Sequence, residues 1–277
     1  MSTDTLSRPA PPRFHPFRDS TTMLRRNLKR MLRYPSLTLT LVGMPVVFLL
    51  LFVYVFGGTL GAGLGGPAPG DAAGGRSAYV NYVTPAIILM TVTSIIQGTA
   101  VSVAMDLTEG IIARFRTMHI ARASVLTGHV LASMIQAAFA LTLVTGVALL
   151  VGFRPEAGLT GWLATAGFLA AMTFALVWLA VALGQVSKTV ESASNVLMPL
   201  VLLPFLGSGF VPTDSLPAGL RWFAEYQPFT PMTETLRALL MDEPLGDNGW
   251  IALAWCAGIA LGSYLWSKRL FNREPAN

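Results

Sequence analysis

An all-α integral membrane protein with six transmembrane helices is the class predicted for this chain of 277 residues, and three observations predict it. Hydrophobic residues make up 53% and charged residues only 12%, about half the charged share that covers a soluble domain. Six intervals lack Asp, Glu, Lys and Arg altogether: 34–70, 77–105, 123–153, 157–187, 192–213 and 248–267. Each holds the roughly 20 apolar residues that cross a hydrocarbon core as a helix. Alternating ten-residue barrel segments are absent, and lipid leaves helices as the other way to satisfy a spanning backbone.

Taken in order, residues 1–19 are rich in Pro and Arg and read as a disordered tail. Residues 20–35 form an amphipathic helix in which Leu24, Leu28, Met31 and Leu32 share one side. Arg25, Arg26, Lys29, Arg30 and Arg33 take the other, so the helix is expected to lie on anionic headgroups. The domain 36–267 follows, with spans at about 36–57, 83–105, 125–151, 162–186, 193–211 and 249–267. A tail at 268–277 closes the chain. Trp162, Trp250, Trp266, Tyr79 and Tyr82 fall near span ends, where amphipathic rings favour the headgroup layer, whereas Trp178 reads as a packing residue.

With both termini inside, the inner segments carry 15 Lys and Arg and the outer loops carry 4. That asymmetry obeys the positive-inside rule. It also accounts for the net charge of +5 without nucleic acid, for which no basic domain exists. A cleaved signal peptide is not expected, because the first apolar run is too long and begins only after residue 34.

Three connecting segments are informative. Residues 57–75 are rich in Gly, Pro and Ala and read as a flexible loop. The inner segment 106–124 places Ile111, Ile112, Phe115 and Met118 at spacings of three and four among Glu109, Arg114 and Arg116. Such a short amphipathic helix either docks into a partner's groove or rests on the membrane. The outer segment 212–248 holds two apolar-rich stretches, 217–226 and 231–241, each too short to cross and best read as re-entrant or surface helices. It also carries Asp214, Glu225, Glu234, Asp242, Glu243 and Asp247, which read as solvated helix surface ahead of a cation-attracting rim.

Several kinds of chemistry are missing. The expected spans contain no Asp, Glu, Lys or Arg for proton or sodium coupling. His129 alone titrates near neutrality there, and it reads as a hydrogen-bonded packing residue. Thr91, Ser94, Gln97 and Gln136 are candidates to line a pathway, or to pair across helices. His15, His119 and His129 lack metal-ligand spacing, and Cys256 reads as a buried small side chain. No phosphate cradle with a Gly-Lys pair occurs, so uphill transport must draw its energy from another polypeptide.

Ordered blocks between the spans then carry a resemblance. The first is Arg33-Tyr34-Pro35, with Pro45 inside the span and Val55-Phe56-Gly57-Gly58 at its end. The second is Asp106, Glu109-Gly110-Ile111-Ile112 and Arg114-Phe115-Arg116-Thr117-Met118. The third is Gly207-Ser208-Gly209-Phe210-Val211-Pro212, Leu216-Pro217, Gln227-Pro228-Phe229-Thr230-Pro231 and Leu236-Arg237. Over residues 23–270 the chain resembles the membrane subunits of type-2 ATP-binding-cassette exporters, especially the daunorubicin-resistance permeases. One departure is His119, where a proline is usual in that family.

The resemblance implies an elbow helix before the first span, a coupling helix between the second and third, and a re-entrant pair before the sixth. It implies a non-catalytic subunit of a bacterial inner-membrane exporter for amphipathic drugs, lipids or related hydrophobic compounds. Its partners would be an ATPase subunit, which uses ATP and Mg, and a second permease copy or a paralogue. This chain would bind no cofactor. Glu109, Arg114, Phe115, Arg116 and Met118 would contact the ATPase. The rival readings are a proton-coupled drug antiporter, a membrane-embedded enzyme and a non-transporting scaffold.

Overall fold

The computed structural model describes residues 35–62, 72–109 and 122–272, and every regular element in them is helical. The first span runs as α1 (Pro35–Leu51), a π-helical turn (Phe52–Phe56) and α2 (Gly57–Ala62). Pro45 sits within α1, where its missing N–H frees one carbonyl of the helical ladder. Next come α3 (Ala72–Thr108), α4 (Arg122–Val151) and α5 (Leu159–Val186). The chain continues through α6 (Val190–Val196), α7 (Met198–Leu202) and a 3-10 turn (Leu203–Leu206). After a second 3-10 turn (Thr213–Ser215) it forms α8 (Ala218–Tyr226), α9 (Phe229–Met241) and α10 (Gly246–Asn272).

Among the described residues five helices are long and apolar enough to cross a membrane: Leu41–Gly61, Gly74–Thr108, Leu126–Val151, Leu159–Val186 and Gly246–Leu270. The expected fifth span at 193–211 is not one of them. In its place Val190–Leu206 is a shorter apolar helix, broken at Leu197 and tightened into a 3-10 turn at Leu203. Pro199 and Pro204 explain this, since each lacks the N–H that an α-helical ladder needs. A second correction concerns 57–75. Gly57–Ala62 is helical and α3 already begins at Ala72, because α2 lies against α3 and that packing offsets the ~1 kcal/mol helix cost of each glycine. The helix expected over 20–35 lies outside the described residues except for its last residue, and so do 110–121 of the inner segment.

The central element is α3, which packs against α1, α2, α4, α5, α6 and α9. Its most apolar stretch is 72% buried, against 28% for the first span, 28% for α4 and 17% for α10. Those three outer helices therefore present their apolar sides to the surroundings, as helices solvated by lipid do. Threonines inside α3 satisfy themselves: Thr84, Thr91 and Thr99 each donate to the carbonyl four residues earlier. Polar contacts also cross between helices. Thr99 and Ser133 hydroxyls lie 2.8 Å apart between α3 and α4, and Gln97 donates to Ser194 of α6 at 3.1 Å. Each such bond is worth about 0.6 kcal/mol in a membrane bundle.

At the same end Gln185 of α5 donates to Ser267 of α10, and Trp178 meets Tyr264 edge to face at 5.0 Å. Trp178 is thus the packing residue expected, and Cys256 is buried. The α3–α5 seam is close enough to require glycine at 184, where a Cβ would stand 2.7 Å from the Ala100 carbonyl oxygen. Gly184→Val is expected to cost about 2 kcal/mol through overpacking, read as a lower thermal midpoint of the purified protein in detergent. An unchanged midpoint would contradict this tight seam.

Candidate functional site

Two polar arrangements stand at opposite ends of α3. The first begins with the sequence Gly207-Ser208-Gly209-Phe210, which turns the chain back after the 3-10 turn. Gly209 lies against α3 so closely that a Cβ would sit 2.7 Å from the Ala86 methyl group, and only glycine fits there. This approach brings the carbonyls of the turn to two tyrosines of α3. Tyr82 donates to the Ser208 carbonyl at 2.7 Å and Tyr79 to the Phe210 carbonyl at 3.2 Å.

Arg237 of α9 completes the arrangement. Its Nη2 donates to the carbonyls of Tyr82 (3.2 Å) and Ser208 (3.1 Å), and its Nη1 to Glu234 at 2.7 Å. The guanidinium also lies over the Tyr82 ring, 3.9 Å from its centroid, a contact worth ~1 kcal/mol or more where water is scarce. Below the turn, Phe210 stacks on Phe205 at 4.7 Å and meets Phe52 of the π-helical turn at 4.7 Å, while Phe48 contacts Phe205 at 5.7 Å. One arginine, two tyrosines and four phenylalanines therefore join the first span, α3, the turn and α9.

This corrects the expectation that Tyr79 and Tyr82 are headgroup anchors. Tyr79 is buried and Tyr82 half-buried, because the turn and α9 cover the end of α3. Trp250 remains exposed, as an interfacial ring would be. The two short helices expected over 217–226 and 231–241 appear as α8 and α9. The latter ends where Asp242 adopts a left-handed conformation with φ of 56°. Of the acids in this region, Glu234 pairs with Arg237, and Asp214 and Glu225 both pair with Arg221 at 2.7 Å. The hydrogen bond that Arg221 donates to Glu225, and then the charge of Asp214, raise the Arg221 pKa above the ordinary arginine value.

The second arrangement is at the other end of α3. The helix runs past the expected boundary at 105 to Thr108, which carries Asp106 into the bundle. Asp106 and His129 of α4 are both buried, at 2% and 5% exposure, with His129 Nε2 3.2 Å from Asp106 Oδ2. With the proton on Nε2, the ring donates to the carboxylate. These two residues stand on the helices that flank 110–121, so the pair ties together both sides of that segment. A carboxylate at the edge of a charge-free interval, and one histidine near the start of the next, were the available signal.

The remaining expected site residues fall as follows. Glu109 is exposed in the turn after α3, whereas Arg114, Phe115, Arg116 and Met118 lie outside the described residues. So do Arg25, Arg26, Lys29, Arg30 and Arg33. Thr91 is buried and donates within its own helix; Ser94 does the same to Met90 from a half-buried position. Gln97 reaches α6 and Gln136 is half-buried on α4. No group of three metal-ligating side chains occurs among the described residues.

The chain matches the family described as ABC-2 type transporter over residues 19–241. It is 26% identical over 258 residues to the daunorubicin resistance ABC transporter permease protein DrrB1 of Streptomyces coeruleorubidus, covering 92% of this chain and 87% of that protein. It is also 27% identical over 166 residues to a probable doxorubicin resistance ABC transporter permease protein DrrC of Mycobacterium tuberculosis (strain CDC 1551 / Oshkosh), covering 57% of this chain and 59% of that protein. The helical bundle, the turn closed over α3 and this match across most of the chain agree, and the protein belongs to the ABC-2 type transporter family as a multi-pass, non-catalytic permease subunit that works with a separate ATPase.

Proposed function

We propose that this permease is the export pathway of an ATP-binding-cassette exporter for an amphipathic drug, a lipid or a related hydrophobic compound. It acts as a pair with a second copy or a paralogous permease, in a bacterial inner membrane with both termini cytoplasmic. Val190–Leu206 and the turn after it make a sixth passage, and residues 20–35 form an elbow helix on the inner surface. The observation that carries this reading is the span of α3, which reaches from the Arg237 arrangement to Asp106 in one element. A push on the segment following Asp106 is transmitted as a rigid displacement of α3, and the turn held by Tyr79, Tyr82 and Arg237 is what that displacement loosens.

In this mechanism Phe115 and Met118 fill an apolar hollow on the ATPase, while Glu109, Arg114 and Arg116 fix the orientation through charged hydrogen bonds. ATP and Mg stay on the partner. Thr91, Ser94, Gln97 and Gln136 then contribute the polar part of an otherwise apolar route. Vesicles containing this chain alone are expected to show no uphill transport, and vesicles with its ATPase to show ATP-dependent efflux. Phe115→Asp should lower efflux at least ~10-fold while the ATPase remains folded and nucleotide-competent. Efflux by the lone chain that collapses with the proton gradient would overturn the reading in favour of an antiporter. Unaltered lipid and drug distribution on deletion would favour a scaffold.

A further inference from the structure

A slot of about 500 Å³ lies between α4 and α5, along positions 134–149 of the first and 162–173 of the second. Small side chains on both helices create it: Ala137, Ala138 and Gly146 on α4 face Ala166 and Ala170 on α5. Leu141, Leu149 and Leu169 keep its surface largely apolar, and Thr142, Thr145, Thr165 and Thr173 also line it. Ala138, Leu149, Ala166 and Ala170 are exposed, so the slot opens sideways to the surroundings of the bundle. None of the residues of the turn arrangement or of the Asp106–His129 pair lines it.

Its dimensions select among occupants. A helix with side chains is about 10–12 Å across, too thick for a volume of this size. A methylene takes about the room of a water molecule, roughly 30 Å³, so the slot accommodates on the order of one long acyl chain. The 134–149 stretch of helix is about 22 Å long, which is most of a bilayer core and longer than one leaflet's tails.

The end of the slot adds a polar site. Leu149 lines the slot, and its carbonyl accepts from Arg154 Nη1 at 3.1 Å. Nη1 also donates to the Phe153 carbonyl at 3.1 Å, and the backbone N–H of Arg154 donates to Asn81 Oδ1 at 2.9 Å. The cation is therefore fixed beside the slot, while Nε and Nη2 hold no hydrogen bond to the described residues. Trp162 lines the slot at this same end, half-buried, where an indole suits the headgroup layer.

We propose that the α4–α5 slot binds one glycerophospholipid, its acyl chain along the slot and its phosphate on the free edge of the Arg154 guanidinium. An apolar slot, a cation held at its mouth and an interfacial tryptophan beside it match the three parts of such a molecule in order. The test is native mass spectrometry on the purified full chain with phosphatidylglycerol, with diacylglycerol bearing the same chains, and with inorganic phosphate. One phosphatidylglycerol per chain is expected, at least ~10-fold tighter than diacylglycerol, with no competition from inorganic phosphate.

Gly146→Leu should weaken both lipids ~10-fold, since a Cβ at 146 meets nothing within 4 Å and the side chain grows into open slot without disturbing the fold. Arg154→Gln should remove the preference for phosphatidylglycerol and leave diacylglycerol binding as it was. The proposal is overturned if Gly146→Leu binds phospholipid as the unaltered chain does, or if Arg154→Gln keeps the preference. It is overturned equally if Gly146→Leu abolishes a dimer of the chain while no lipid is retained in either form.

Discussion

Arg237→Met is expected to lose most ATP-driven efflux and to lower the thermal midpoint of the purified permease. Methionine keeps the apolar stem, so the change isolates the guanidinium. Lost with it are hydrogen bonds to the carbonyls of Tyr82 and Ser208, the pairing with Glu234 and the contact over the Tyr82 ring. Hydrogen bonds to charged groups are worth about 1.5–3 kcal/mol each when buried. The Arg237 and Glu234 side chains are 12% and 30% exposed, and the contacts share one group, so a simple sum overstates the loss. A net effect of about 3 kcal/mol is reasonable, which is roughly a hundredfold shift in the closed population of the turn.

Two companion substitutions separate charge from geometry. Arg237→Lys keeps the pairing with Glu234 but cannot hold two carbonyls and cover a ring at once, so it should recover less than half of the lost stability. Tyr82→Phe keeps the ring and removes one hydrogen bond to Ser208, at a cost of about 1 kcal/mol. Full efflux and an unchanged midpoint in Arg237→Met would mean that the turn is held by the phenylalanine stack alone, and the gating role of the arginine would be lost with it.

The spanning helices were legible because a charge in the middle of a bilayer is costly, and the intervals lacking charge mark what crosses. Short helices in segment 212–248 were legible from length, with α8 and α9 starting and ending within two residues of the expected stretches. Pro199 and Pro204 predict a bend in the fifth passage, but its break into short helices was not legible, because hydropathy weighs both prolines by side chain while the break comes from their missing N–H groups. Tyr79 and Tyr82 misled for a related reason. An amphipathic ring at a span end satisfies its hydroxyl equally well in headgroups or on a carbonyl of another segment, and only the fold shows that the 207–210 turn supplies the carbonyl. Arg237 stood out only as part of the Leu236-Arg237 block, and the carbonyls it holds are distant by 29 and 155 positions in sequence. Asp106 fell outside the second span by the very criterion that found the spans, since trimming at the first charge ended the helix three residues too early.

That last residue leads to the second large effect. Asp106→Ala is expected to destabilise the protein by about 3 kcal/mol, because it leaves a buried histidine without its acidic partner at the base of α3 and α4. Asp106→Asn keeps the shape and an acceptor oxygen, so it should fold better and report on function. ATP hydrolysis by the assembled transporter should continue in that variant while efflux per ATP falls ~10-fold, since the two helices that flank 110–121 no longer move as one. Asp106 takes part in more than this one interaction, so a single substitution overstates the pair. The double-mutant cycle with His129→Gln removes that excess, and its interaction energy should be about 1–2 kcal/mol in stability. Hydrolysis and efflux falling together in Asp106→Asn would point to lost docking or assembly. Strict additivity in the cycle would mean that the 3.2 Å contact carries no coupling between the helices, and that α3 and α4 are held together at this end by the Thr99–Ser133 contact and apolar packing instead.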